Sequence, residues 1–299
     1  MPSTADTPLS VAVAAESWRV DVAAILLIVI IGAGYARCRP TERVPAYCFA
    51  AGLVVWTLVT MSVIAVYAPV LFWMRALQVL TLLFIVPFLL ALGRPVTNLR
   101  GALTESGRGR LDRLLASRAC RVAVSPLCTS AAMLGVPWLL YLTPWYVASM
   151  TGAVAAGTRI LLVLIGFGYF YARIQTDPVP RRYSPLLSIG ISVVESLGDG
   201  LLGLVLWLGP VIAYGYYAGL HRSWGPSMRT DQSVGAGILW IVGDVLGVPF
   251  LAVLMRRLST HEKVRAAQVD EIADAEADPE TPALWWQSDP QLRERFGGR

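Results

Sequence analysis

Apolar residues along this 299-residue chain gather in seven stretches, separated by polar segments in which arginine dominates. The stretches cover residues 19–36, 46–67, 70–92, 122–142, 151–172, 186–211 and 233–255. Each is long enough, as a helix rising 1.5 Å per residue, to cross ~30 Å of hydrocarbon. The pattern therefore predicts an all-α, polytopic membrane protein with seven transmembrane helices.

The arginines set the orientation. With the amino terminus outside, the inward loops carry Arg37, Arg39 and Arg43, then Arg94, Arg100, Arg108, Arg110, Arg113, Arg118 and Arg121, then Arg173, Arg181 and Arg182. Arg256, Arg257, Lys263 and Arg265 follow the last stretch, whereas the outward segments carry only Arg19, Arg222 and Arg229. Seventeen basic residues against three is a strong positive-inside bias, so the amino terminus is expected outside and the carboxyl terminus in the cytoplasm. No basic region precedes the first stretch, so it does not read as a cleavable signal. The chain divides accordingly into an extracytoplasmic segment (1–18), a seven-helix membrane domain (19–257) and a cytoplasmic tail (258–299).

Two connections stand out. The inward segment 94–121 holds seven arginines against Glu105 and Asp112, as expected of a segment lying on the inner leaflet. The outward segment 214–232 is rich in aromatic residues, which suit the depth of the lipid headgroups. In the tail, residues 259–278 read as a charged helix, and Trp285-Trp286 suit contact with a membrane surface or a partner.

Composition agrees with a membrane chain. It is 56% hydrophobic and only 15% charged, where soluble proteins carry about a quarter charged residues. The net charge of +5 reflects arginines placed beside spans, where they hold topology and meet anionic lipid, so nucleic acid is not an expected partner.

Five ionisable residues fall inside the stretches: Arg75, Arg159, Glu195, Asp199 and Asp244. Such residues are costly in a bilayer and are by default paired or functional. Counting along the helices places all five at the midplane or in the outer half. Glu195 and Asp199 are four apart and share one helix face, where joint ionisation calls for a cation between them. The expectation is a buried polar cluster in which Arg75 and Arg159 pair with carboxylates among Glu195, Asp199 and Asp244, with Gln78 completing the hydrogen bonding on the Arg75 face. A cation or proton path through the same carboxylates is the alternative.

Metal and catalytic chemistry have little to stand on. His221 and His261 both lie outside the stretches, and Cys38, Cys48, Cys120 and Cys128 map to inner helix ends without CxxC spacing. No phosphate-binding loop, zinc-protease motif or nucleophile elbow occurs. The expectation is a protein with no catalytic residue, metal site or cofactor.

Three segments together carry a resemblance. Residues 67–103 (YAPVLFWMRALQVLTLLFIVPFLLALGRPVTNLRGAL) resemble the third-helix signature of the seven-span CtaG cytochrome c oxidase assembly factors. DPVPRR, Asp177 to Arg182, resembles their connection from the fifth to the sixth helix. WGPSMRTDQSVGAGILWIVGD, from Trp224 to Asp244, is similar to their outward loop and seventh helix, with Trp224, Gly225, Pro226, Asp231 and Gln232 forming the loop motif. The resemblance covers roughly residues 20–265. It implies a protein of the bacterial plasma membrane that assists assembly of a haem-copper oxidase, with oxidase subunits or other assembly factors as partners beside the lipid bilayer, and it brings copper handling with it. Typical members of the family carry intramembrane histidines on the third, fifth and sixth helices. Here Arg75 and Val79 occupy the third-helix region, residues 157–167 hold no histidine, and Asp199 stands at the sixth-helix position. Arginine stays protonated and cannot ligate copper. The expectation is an ionic cluster where relatives hold a metal, in a non-enzymatic assembly or scaffold factor; the alternative is an ion- or proton-conducting transporter using the carboxylates of spans six and seven.

Overall fold

A computed structural model describes residues 7–175, 177–178 and 185–242, then 245, 248–253, 255–256, 259 and 266–268. The chain divides into two units, Met1–Leu254 and Met255–Arg299. Asp244, Arg181, Arg182, Trp285, Trp286 and most of the predicted tail helix lie outside the described residues. Among the described residues the structure is helical, with no strand.

Six of the seven apolar stretches become helices close to their predicted limits. They are Val22–Arg37; Arg43–Met61, continued after Ser62 by Val63–Tyr67; Phe72–Leu80, continued through Thr81–Ile85 to Val86–Leu92; Pro126–Leu142; Gly152–Ile174; and Pro185–Leu208. The seventh starts earlier than hydropathy suggests, as Met228–Gly237 running into Ile238–Val242. Three of the starts carry a side-chain cap on the N-cap residue, from Asp21, Ser125 and Ser227. Asp21 accepts from the Ala24 N–H at 3.1 Å, and Ser227 from the Thr230 N–H at 3.2 Å.

Three of these helices, Arg43–Tyr67, Phe72–Leu92 and Gly152–Ile174, are by themselves long and apolar enough to cross a membrane. Val22–Arg37 and Pro126–Leu142 are apolar but shorter. The third helix is the hub. It packs against the second, fifth and seventh helices. Its most apolar window is 67% buried, against 33% for the second helix and 39% for the fifth.

Two local features allow that central position. Pro87 has no N–H to donate, and its ring crowds the carbonyl of Leu83 four residues back. The helix relieves this by widening to a π turn over Thr81–Ile85. Gly166 of the fifth helix meets the widened turn, where a Cβ would stand 2.1 Å from the Leu83 carbonyl oxygen and 2.4 Å from Pro87 Cγ. Gly235 of the seventh helix does the same at the other end, where a Cβ would fall 2.4 Å from Phe72 Cδ1. Small residues let helix backbones approach without a hydrophobic driving force between them.

The arginine-rich segment after the third helix forms three short helices, Pro95–Ala102, Glu105–Leu115 and Arg118–Ala123, none with a buried residue. Arg100 pairs with Asp112 at 3.0 Å, and Arg108 Nε donates to the carbonyls of Arg100 and Leu103. This segment therefore folds on itself along the arginine-rich end of the third helix.

Candidate functional site

The third helix carries its polar cluster one turn below its start. Arg75 is 2% exposed. Its Nη1 donates to Gln78 Oε1 at 2.8 Å, and its Nη2 to Ser149 Oγ at 2.7 Å and to the Ser149 carbonyl at 3.3 Å. Gln78 in turn donates from Nε2 to the Val59 carbonyl at 3.1 Å, tying the cluster to the second helix. Among the described residues, Arg75 Nε and the buried Tyr141 hydroxyl have no hydrogen-bond partner. Around them Phe72, Tyr141 and Tyr146 form an aromatic wall with ring centroids 5.3–5.7 Å apart. Tyr146 and Tyr217 join hydroxyl to hydroxyl at 2.7 Å. Burial raises the pKa of both phenols, so each keeps its proton at neutral pH.

The expected pairing of arginines and carboxylates is redistributed. Among the described residues no carboxylate forms an ion pair with Arg75; Ser149, in the connection between the fourth and fifth helices, takes that place instead. Arg159 pairs with Asp21 at 2.6 Å. Asp21 sits just ahead of the first helix, so one residue both caps that helix and anchors it to the fifth. Glu195 is held by Arg173, read from sequence as a loop residue. Arg173 Nη1 reaches Glu195 Oε2 at 2.9 Å and Nη2 reaches Oε1 at 2.9 Å, a bidentate pair. Tyr169 donates to Glu195 Oε2 at 2.6 Å and its ring lies 4.1 Å beneath the Arg173 guanidinium carbon. Ser130 of the fourth helix accepts from Arg173 Nη2. The reason is reach: Arg173 ends the fifth helix and extends its long side chain back along the bundle, so Glu195 belongs with the arginine-rich half and not with Arg75. Asp244 lies outside the described residues.

The motif residues turn out to bracket the third helix. At its start, Asp231 accepts from the N–H groups of Phe72 (3.1 Å) and Trp73 (3.0 Å), with Arg222 3.5 Å away. Just past its end, Asp177 accepts from the N–H groups of Val96 (3.1 Å) and Thr97 (2.9 Å) and from the Thr97 hydroxyl. Both carboxylates occupy helix N-termini, where unpaired N–H groups and the helix dipole favour an anion. Gln232 ties the seventh helix to the sixth, accepting from the Ile212 N–H at 2.6 Å and donating to the carbonyls of Leu206 (2.7 Å) and Pro210 (2.9 Å). Trp224 stands edge-on to Tyr67 with 5.8 Å between centroids, and the Arg222 guanidinium lies 5.4 Å from its ring. Gly225 turns with φ +75°, and the Pro226 carbonyl accepts from Arg222 at 2.7 Å. Polar residues that look out of place by hydropathy thus hold the ends of the most buried helix.

Residues 29–261 match the family described as the cytochrome c oxidase caa3 assembly factor, Caa3_CtaG. The chain belongs to this family. It is also similar to uncharacterized proteins of Mycobacterium leprae (26% identity over 279 residues, 86% of this chain and 42% of that protein) and of Mycobacterium bovis (26% over 298 residues, 92% and 44%). The chain thus spans less than half the length of the curated relatives it matches. No solved structure matches.

Within this Caa3_CtaG chain, Val79 and Asp199 line one cavity of about 20 Å³, together with Leu83, Pro137 and Leu239. That is room for about one water molecule. The third-helix and sixth-helix positions singled out by the family resemblance therefore do face the same space. Arg75 lies one turn from Val79 on the third helix. The cavity lining is apolar apart from the Asp199 carboxylate, and the neighbouring Arg75 cluster offers guanidinium, carboxamide and hydroxyl groups, whereas copper(I) is selected by thiolate, thioether and imidazole. Among the described residues no three histidine, cysteine, aspartate or glutamate side chains come together as a metal site.

Sequence reasoning missed Arg173, Tyr169, Ser130, Asp21 and Ser149. Tyr169 and Arg173 are four apart at the end of the fifth helix, a spacing that puts a hydroxyl and a guanidinium on one face toward any buried carboxylate nearby. Asp21, directly before an apolar run, carries the signature of a helix cap. Ser149 offers no comparable signal.

Proposed function

We propose that this chain is a membrane-embedded assembly or scaffold factor for a haem-copper cytochrome c oxidase, acting through protein contacts and not through copper held in its membrane core. It crosses the bacterial plasma membrane seven times, with the arginine-rich helix ends in the cytoplasm. The family assignment supplies the oxidase; the observation that carries the rest is the buried Arg75 cluster. A guanidinium held by Gln78 and Ser149 stands in the third-helix region where resemblance leads one to look for metal ligands, and a permanently protonated group repels a cation. Conduction through the sixth-helix carboxylates is disfavoured by the bidentate clasp on Glu195, which fixes that group in an ion pair.

Two measurements test the reading. Membranes of cells lacking the protein should show a weakened haem a absorption band that returns when the chain is restored; an unchanged band overturns the oxidase role. The purified chain, with all four cysteines replaced by serine, should hold far less than one copper per molecule; near-unity copper overturns the copper-free core. Orientation is checked separately by single cysteines at Ser106 and Ser223, which should label from opposite sides with an impermeant reagent.

A further inference from the structure

A cavity of about 370 Å³ opens at the arginine-rich end of the bundle, between the connection that follows the first helix and the segment that follows the third. Its walls include Cys38, Arg39, Thr41, Glu42, Arg94 and Asn98. The volume falls at the lower end of the range for small-molecule sites, the size of a polar headgroup.

The frame is fixed. Tyr35 stacks on Phe49 with centroids 3.8 Å apart and donates to the Gly93 carbonyl at 2.7 Å. Asn98 Nδ2 donates to the Tyr35 hydroxyl and to the same carbonyl, each at 3.2 Å. Asp177 anchors the helix beginning at Pro95. Arg39 and Arg94 both sit in the left-handed backbone region, with φ of +50° and +51°.

The donors are uncommitted. Among the described residues Arg94 uses only Nη1, on Glu42 at 2.8 and 3.0 Å, which leaves Nη2 and Nε available. Among the described residues neither the Arg39 guanidinium nor the Thr41 hydroxyl has a protein partner. Two guanidinium groups against the single carboxylate of Glu42 leave the walls with one net positive charge, which matches a phosphodiester. The lining holds no aromatic ring to stack a base, which argues against a nucleotide.

We propose that this cavity binds the phosphate of an anionic phospholipid headgroup, with Arg39 and the free nitrogens of Arg94 as its donors. The proposal rests on the orientation given above, which puts these residues at the level of the inner-leaflet headgroups. Basic pockets between helices at that depth are suited to anionic lipid.

Cys38 lines the cavity and reports on it. The full-length chain, keeping Cys38 with Cys48, Cys120 and Cys128 replaced by serine, is placed in nanodiscs of phosphatidylcholine alone, of phosphatidylcholine with phosphatidylglycerol, or of phosphatidylcholine with added inorganic phosphate. Alkylation of Cys38 by an uncharged maleimide is then timed. Phosphatidylglycerol should slow alkylation about fivefold, the factor for ~1 kcal/mol per basic residue near a lipid surface. Arg39→Gln should remove that protection. Slowing by inorganic phosphate as well supports the phosphate site and gives it a soluble source of ligand. Equal rates in all three discs, or protection that survives Arg39→Gln, overturns the proposal. The haem a and copper measurements are independent of this result, so either conclusion can fail alone.

Discussion

Arg75 and Arg173 are both sealed inside the helical bundle, 2% and 1% exposed, and they are held in opposite ways. Arg173 meets a carboxylate in bidentate geometry, with a tyrosine hydroxyl and a serine completing the set. Arg75 meets a carboxamide, a hydroxyl and a carbonyl, all neutral. A buried charge with an opposite charge beside it forms a self-contained clasp, here joining the fourth, fifth and sixth helices. A buried charge held only by dipoles leaves a net positive field in the core, between the start of the third helix and the turn after the fourth. The first arrangement is what structural cohesion requires. The second is the one that bears on the proposed copper-free core, because a permanently protonated group disfavours a cation beside it.

The largest effect should come from breaking the clasp on one side only. Arg173→Leu leaves Glu195 unpaired in low dielectric, which costs ~3–5 kcal/mol, whereas Arg173→Leu with Glu195→Leu should recover most of that loss. Thermal unfolding of the purified protein in detergent reads both. If the double variant is no better than the single, the clasp is not a closed pair.

Arg75→Leu should cost less, because it removes a charge that has no counter-ion among the described residues while orphaning the Gln78 and Ser149 acceptors, about 1–3 kcal/mol in the same assay. A loss as large as that of Arg173→Leu would mean that Arg75 has a charged partner, and the contrast would collapse. The copper content of Arg75→Leu sharpens the comparison further, since leucine supplies no copper ligand and no copper should appear.

The smallest effects belong to the two caps. Asp231→Ala and Asp177→Ala each remove a carboxylate from a pair of backbone N–H groups, for ~0.5–2 kcal/mol. The losses should add in the double variant, because the two sites stand at opposite ends of the third helix. Strong non-additivity in thermal unfolding would show that the ends communicate.

The helices were legible because hydropathy reports which stretches shun water, and the first six follow it closely. The seventh helix begins at Met228 rather than at residue 233 because Asp231 and Gln232 are buried by bonding to neighbouring backbone, and a polar residue satisfied in this way looks like a loop to any hydropathy count. The polar cluster was legible as a set of unusual residues but not as a set of pairs. Arg75 with Gln78 followed from helical spacing. Arg173 did not, because an arginine at a helix end reads as a topology marker until the position of Glu195 is known. Asp21 was hidden in the same way, lying just outside the first helix it caps. Pairing between distant segments depends on side-chain reach and helix rotation, which one sequence does not encode locally.

The central claim is that the chain serves oxidase assembly without copper ligands of its own, and the haem a band of a deletion strain tests it most directly. Cells should be complemented with the wild-type chain and with the variant in which Cys38, Cys48, Cys120 and Cys128 are all serine, with equal protein levels confirmed in the membrane. Both should restore the band to the same height. Restoration by the wild type alone would contradict it and return copper handling to the four thiols.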